Sequence, residues 1–235
     1  MRQDNPYLSA LDATWPAAEI CEVGDWHLRR GAGGGKRVSA ASGTGDVEKA
    51  VTAMAEWGQV PLFQLWPGDE ALDAELAARG YSIVDPVNIY AAPVAPLVDE
   101  RSEVARILRL SSPIALAEDM WRDGGIGAER LAVMARAKGA KAYMMARLGD
   151  RPAAVGFAAT AGAIAMVHAI ETIPAQRRKG AGRMIVQAAA RFARDEGAET
   201  LALAVTKANT AANALYQSLG MTVVSEYHYR QGPKP

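Results

Sequence analysis

This sequence predicts an α/β fold, an α+β arrangement around a mixed sheet, and three observations carry that expectation. An apolar run, Ile164–Ile170, stops at Glu171-Thr172-Ile173-Pro174, passes through the basic loop Arg177-Arg178-Lys179-Gly180-Ala181-Gly182, and resumes as an amphipathic pattern. Short buried-type runs alternate with amphipathic ones along the chain. A shift of 140 residues lays Pro61–Leu65 on Leu201–Val205, Asp69 on Asn209, Leu76 on Tyr216, Gly80 on Gly220 and Tyr81 on Met221. Such a shift suits two copies of one strand–helix–strand–helix–strand unit.

Taken in order, residues 4–13 read as a short helix with Leu8 and Leu11 on one side. Trp26–Arg30 is a strand, Gly31–Gly35 a turn, and Arg37–Ala41 the returning strand. Asp46 caps a helix carrying Val47, Ala50, Val51 and Met54 at helical spacing, and Gly58 ends it. Pro61–Trp66 is a buried-type strand. A helix with Leu72 and Leu76 follows and stops at Gly80. Tyr81–Val84 and Val87–Ala92 are extended, broken at Pro86. Pro93 and Pro96 mark a boundary between residues 1–95 and residues 96–235, with 87–94 available as the second unit's first strand.

Beyond it, Val104, Ile107 and Leu108 form a helical stripe, Met120 and Trp121 follow the Ser111-Ser112-Pro113 break, and Leu131 and Met134 lie on a third helix. Ala142–Leu148 and Ala153–Thr160 make a hairpin about Gly149-Asp150. Ile185, Ala188, Ala189 and Phe192 stripe the helix after the glycine loop. Leu201–Val205 is a buried strand, Asn209 opens a helix bearing Ala212, Leu215, Tyr216 and Leu219, and Met221–Arg230 is the last strand.

Composition narrows the function. The 26 basic and 26 acidic residues cancel, so no net field draws the chain to nucleic acid or to a membrane surface. The single cysteine, Cys21, excludes an internal disulfide and a thiolate metal cluster. No apolar window of ~18 residues and no signal-peptide core are present. The expectation is a cytoplasmic monomer or homodimer with no metal.

A strand that feeds a helix through glycines leaves backbone N–H groups converging on one point, and the helix dipole adds positive charge there. The alternative for this basic loop is a solvated helix start beside a tight turn. Gly31-Ala32-Gly33-Gly34-Gly35-Lys36 is not a Walker-type phosphate loop, because Arg30 stands where the first glycine belongs and Arg37 follows the lysine. A dinucleotide fingerprint also fails, with Ile185 at its third glycine position.

The segment Asn209-Thr210-Ala211-Ala212-Asn213-Ala214-Leu215-Tyr216-Gln217-Ser218-Leu219-Gly220-Met221 resembles the Asn-x-x-Ala-x-x-Leu-Tyr-x-x-Leu-Gly-Phe stretch of the GNAT acetyltransferase superfamily. Met221 stands where Phe is commoner. Arg177-x-x-Gly180-x-Gly182 is similar to that family's acetyl-CoA pyrophosphate motif, and the two occur in its order and spacing. The resemblance covers roughly residues 85–235. It implies a GNAT fold, with residues 1–95 as the degenerate half of a tandem protein. That half has Arg37, Ala40 and Ser42 where Arg177, Gly180 and Gly182 stand in the other.

The resemblance implies an acetyl-CoA-dependent N-acetyltransferase acting on a primary amine of a small molecule or peptide. Ile170 and Thr172 would hold the pantetheine arm. Arg177, Arg178, Lys179, Gly180, Ala181, Gly182 and Arg183 would take the pyrophosphate, and Asn209 and Ala212 would flank the arm. Tyr216 would be the general acid, with apolar packing as its alternative. Glu171 is the candidate base, with a salt-bridge role as its alternative. His168 falls on the same side of the strand alternation as Ile170, as a structural residue or a second base candidate. Glu118, Asp119 and Tyr227-His228-Tyr229 are candidates for the acceptor pocket, the aromatic pair alternatively for the core. The rival function is a non-catalytic acyl-CoA-binding sensor or interaction module.

Overall fold

The computed structural model describes residues 5–99 and 106–233. Helix α1 (Pro6–Thr14) is capped by Asn5, whose side chain accepts from the Tyr7 N–H. Strands β1 (Glu19–Val23) and β2 (Trp26–Arg30) form a hairpin, and β3 (Ser42–Gly43) pairs antiparallel with β2. The returning strand expected at Arg37–Ala41 is instead a 3-10 turn over Lys36–Val38. Packing explains the difference. A Cβ on Gly34 would lie 2.6 Å from Val133 and 2.8 Å from Val38. The loop is pressed against a neighbouring helix, and the chain coils to bury Val38 before it extends at Ser42.

Helix α2 (Val47–Glu56) is capped by Asp46 and buries Val47, Ala50 and Met54 against Trp26, Leu28 and Phe63. Then come β4 (Leu62–Leu65), α3 (Glu70–Ala78), β5 (Ser82–Pro93) and the short α4 (Val94–Leu97). In the second half, β6 (Ile107–Leu110) precedes α5 (Ala115–Asp123) and α6 (Ala128–Arg136). The stripe read there as helical is a strand from Ile107 onward, because it finds an antiparallel partner; Val104 lies outside the described residues. That partner is β7 (Lys141–Leu148), followed by β8 (Arg151–Ala161) and β9 (Ile164–Thr172). Helix α7 (Ala181–Asp195), β10 (Thr200–Thr206), α8 (Thr210–Ser218) and β11 (Thr222–Gln231) complete the chain.

One sheet runs in the order β4-β11-β5-β10-β9-β8-β7-β6. Among the described residues, only β9 and β10 are parallel neighbours within it. β5 lies between β10 and β11, while β11 also pairs with β4, so strands from the two halves interleave. Helices α3 and α8 begin at Glu70 and Thr210, and strands β5 and β11 at Ser82 and Thr222, each pair 140 residues apart. β5 continues through Pro86 because Asp85 and Pro86 together oppose His228, a bulge at which the missing N–H costs no ladder bond.

Helix α7 covers one face of the sheet, packing Ile185, Val186, Ala189 and Phe192 on Ala154, Ala158, Val167 and Leu203. The opposite face is closed by Trp15, Trp121, Val133 and Met134 over Tyr143, Val155 and Phe157.

Candidate active site

Strands β9 and β10 pair only from Ile164↔Thr200 to Met166↔Ala202 and then diverge. A bulge on β9 marks the divergence. Val155 faces Glu171 and Phe157 faces His168, so Ala169 and Ile170 together oppose Gly156 alone. Ala169 takes a φ of 50°, and its carbonyl accepts from Trp121 Nε1 at 2.8 Å. A Cβ on Gly156 would lie 2.4 Å from Ile185 Cγ2, so its absence lets α7 sit close behind the bulge.

The bulge re-phases the strand. His168 and Ala169 both turn toward α1 and α5, whereas Ile170 packs on the α7 face. Simple alternation, which puts His168 and Ile170 on one side, is overturned at this point.

On the α7 side the divergence opens a cleft of about 620 Å³. Ile170, Glu171 and Thr172 form one wall, and Asn209, Ala212 and Tyr216 the facing one. Arg177, Arg178, Gly180, Ala181, Gly182 and Arg183 close the end. Lys179 is the one cofactor-binding candidate outside the lining. Its Nζ donates to the Ala175 carbonyl at 2.9 Å and to Gln176 Oε1 at 3.3 Å, so it closes the preceding turn.

Gly180 precedes α7 with a φ of 88°, a left-handed conformation that a Cβ would penalise. The first turn of the helix bonds Met184 N–H to the Gly180 carbonyl at 3.1 Å. The N–H groups of Ala181, Gly182 and Arg183 therefore stand outside the helix ladder at the cleft, where an anion is favoured. Arg177 Nε donates to the Thr172 carbonyl at 3.2 Å, and its Nη2 reaches Glu171 Oε1 at 3.4 Å. Arg183 Nη2 donates to Ser218 Oγ at 2.8 Å. Asn209 caps α8, its Oδ1 accepting from the Ala212 N–H at 3.1 Å.

Tyr216 is buried, with its ring 5.7 Å from that of Tyr90. Burial pushes its hydroxyl up to about 12, so it keeps its proton throughout the neutral range. Glu171 faces the other way from Ile170. It pairs in register with Val155 and packs so close to Gly124 that a Cβ there would lie 2.4 Å from its Cγ.

A second cavity, of about 270 Å³, opens on the opposite face of the sheet. It touches Ala169 and Thr206, one residue from each diverging strand, and is walled by Trp15, Arg37, Tyr227 and Tyr229. Tyr227 and Tyr229 thus meet this cavity, but His228 does not; it lines a separate one with Trp66 and Asp73, where its Nε2 bonds Asp73 Oδ1 at 2.9 Å. Glu118 and Asp119 line neither cavity, and Asp119 pairs with Arg122 at 2.6 Å on the surface.

His168 is locked beside this cavity. The Thr14 hydroxyl donates to the Ala10 carbonyl at 2.7 Å, so toward His168 Nε2, 2.9 Å away, it acts as acceptor. The proton then sits on Nε2, and Nδ1 accepts from Arg37 Nη1 at 3.4 Å. Burial first, and the Arg37 charge second, hold the imidazole well below its ordinary range. With both nitrogens engaged, its role is structural.

Trp15 and Arg37 were not legible as site residues. No motif surrounds Trp15, and Arg37 was matched to Arg177 only as a position in the half that lacks the glycine pair; both arrive by the packing of α1 and the glycine loop across β9. Among the described residues, no three His, Cys, Asp or Glu side chains are grouped to hold a metal, and no helix is long and apolar enough to cross a membrane.

Residues 107–221 match the family model described as the acetyltransferase (GNAT) family. Over that segment the chain is similar to a GNAT domain. A GCN5-related N-acetyltransferase from Kribbella flavida superposes with a TM-score of 0.70 at 19% identity, covering 97% of this chain and 94% of that one. A tandem GNAT protein from the clavulanic acid biosynthesis pathway superposes with a TM-score of 0.61 at 12% identity, covering 79% and 68%. At these identities the two structures establish the fold alone. An uncharacterized N-acetyltransferase, YobR of Bacillus subtilis (strain 168), is 43% identical over 54 residues, which is 23% of this chain and 22% of that protein. The matched segment contains β9, α7, β10 and α8, and with them the whole of the larger cleft.

Proposed function

We propose that the chain is an acetyl-CoA-dependent N-acetyltransferase that acts on a primary amine of a small molecule or peptide by direct attack on the thioester. One observation carries this reading. A helix N-terminus with uncommitted N–H groups and arginines closes the same cleft that holds the buried, protonated Tyr216, and that cleft abuts the bulge on β9.

In this reading Arg177, Arg178, Arg183 and the first amides of α7 bind the pyrophosphate. Lys179, turned away in the free protein, contributes through its charge alone. The edge of β9 at Ile170–Thr172, unpaired toward β10, takes the pantetheine amides as an added strand would. Asn209 and Ala212 close the far side. An N–H in the same stretch of β9 stabilises the oxyanion as the amine nitrogen bonds to the carbonyl carbon. Glu171 takes the proton the amine loses, directly or through a water. The carbon–sulfur bond then breaks, and Tyr216 gives its proton to the departing thiolate, leaving free CoA and an N-acetyl product.

We further read residues 1–95 as a degenerate GNAT-like half and residues 96–235 as the catalytic one. The 140-residue spacing and the interleaved strands β4-β11-β5-β10 support that division.

The test is thiol release on incubation with acetyl-CoA and a panel of primary amines. Release that depends on an amine is the expected result. Tight CoA binding without release for any acceptor would favour the sensor module instead.

A further inference from the structure

The smaller cavity contains a charge with no counter-charge. Arg37 Nε is buried and has no hydrogen-bond partner. Its Nη1 contacts His168 Nδ1 at 3.4 Å, and the guanidinium also faces the hydroxyls of Tyr227 and Tyr229. None of these groups is a carboxylate. Among the described residues no carboxylate lies within ion-pair distance of Arg37. The one carboxylate on the cavity wall, Asp85, is held by Lys36 at 2.7 Å. A second guanidinium, Arg130, stands on the same wall beside Gly35.

Burying a charge without a counter-charge costs the fold, and an anion bound beside it offsets that cost. The architecture around it is built, not accidental. Thr14 fixes the His168 tautomer, and His168 in turn presents an acceptor to Arg37 and steadies it. Arg37 also stands 140 residues before Arg177, so the arginine that closes the cleft in one half faces the second cavity in the other.

Position and size narrow the ligand. Arg37 touches His168, and the bulge at Ala169–Ile170 follows directly on β9, at ~3.3 Å per residue. An acceptor whose anion sits on Arg37 therefore presents an amine at the bulge only if the two groups are a few bonds apart. A cavity of about 270 Å³ lies near the lower end of ligand pockets and suits a molecule of amino-acid size.

We propose that the cavity beside Arg37 is the acceptor site, and that it selects a small primary amine carrying a carboxylate, bound through the Arg37 guanidinium. This rests on the transferase reading above, because it assigns that reading's acceptor. The flat guanidinium fork favours a carboxylate, with Arg130 at the rim and Tyr227 and Tyr229 as neutral donors around it.

The test is kinetic, with four matched acceptors: an amino acid, its carboxamide, its decarboxylated amine, and the phosphonate analogue of the acid. Thiol release is followed at saturating acetyl-CoA, for the wild-type chain and Arg37→Met, with CoA binding by calorimetry alongside. The amino acid should exceed both neutral analogues in kcat/KM by roughly 30-fold or more, the range of a charged hydrogen bond. Arg37→Met should collapse that ratio to about 3-fold or less, chiefly by raising KM for the acid.

Neutral amines as good as acids in the wild type would overturn the proposal and leave the transferase reading standing. A phosphonate preferred over the acid would overturn the carboxylate assignment. CoA binding with no release for any acceptor would overturn both readings. The wild-type ratio decides the matter even if Arg37→Met fails to fold.

Discussion

Tyr216 and His168 show how burial sets the chemistry of single residues here. The same desolvation that lifts the phenol to about 12 also makes a thiolate in that cleft more basic, so donor and acceptor shift together. Tyr216→Phe should lower kcat/KM by ~100-fold or more while the CoA dissociation constant stays within ~2-fold. Thiol release and calorimetry check the two parts. Because the hydroxyl deprotonates only near 12, wild-type turnover should show no alkaline fall from this residue up to about pH 10.

His168 is shifted the opposite way. A neutral imidazole is favoured in the fold, so its contribution to stability is present above the unfolded value near 6.5 and is lost as pH falls. The wild-type melting temperature should therefore drop between about pH 7 and about pH 5, and His168→Gln should reduce that slope. Thermal melts at the two pH values measure it. At this scale the sequence motif marked Tyr216, Gly180 and Asn209, because each sits in a local pattern. Arg37 stood out only as the counterpart of Arg177, because its place at the second cavity comes from contacts such as that with His168, 131 positions away.

Among the elements, β9 decides the site. Its apolar run was legible, but its bulge was not, since Ala169 and Ile170 are both apolar and a bulge adds one more apolar residue to the run. The consequence is large: His168 and Ile170 end on opposite faces, and the two cavities meet back to back. Gly156, the single residue opposite the bulge, admits α7. Gly156→Ala would place a Cβ 2.4 Å from Ile185 Cγ2. We expect a loss of about 1–3 kcal/mol from overpacking, read as a melting-temperature drop of several degrees. Other elements read directly: β2 at Trp26–Arg30 and the Asn209 cap of α8 follow from apolar alternation and side-chain capping. The strand β6 read as helical because Ile107 and Leu108 carry no period of their own, and only pairing with β7 decides their state.

For the whole molecule, the interleaving of β4-β11-β5-β10 matters most. The 140-residue repeat was visible in the chain, but the partner each strand takes was not, because pairing between halves leaves no local trace. Residues 87–94 were read as available to the second unit as its first strand, and β5, Ser82–Pro93, lies between β10 and β11. A fragment of residues 96–235 would therefore leave β11 without either of its partners and expose one edge of β10. It should aggregate or fail to bind CoA, and supplying residues 1–95 as a separate chain should restore soluble protein. Gel filtration of the fragment alone and of the mixed fragments checks this.

The account's central claim is direct transfer from the cleft to an amine across the β9 bulge. Mass spectrometry after mixing the protein, isotopically labelled acetyl-CoA and a small carboxylate-bearing amine tests it most directly. The predicted result is labelled acetyl on the acceptor nitrogen, with none on the protein. Acetylated protein that passes its label on, or no labelled product from any amine, would contradict it.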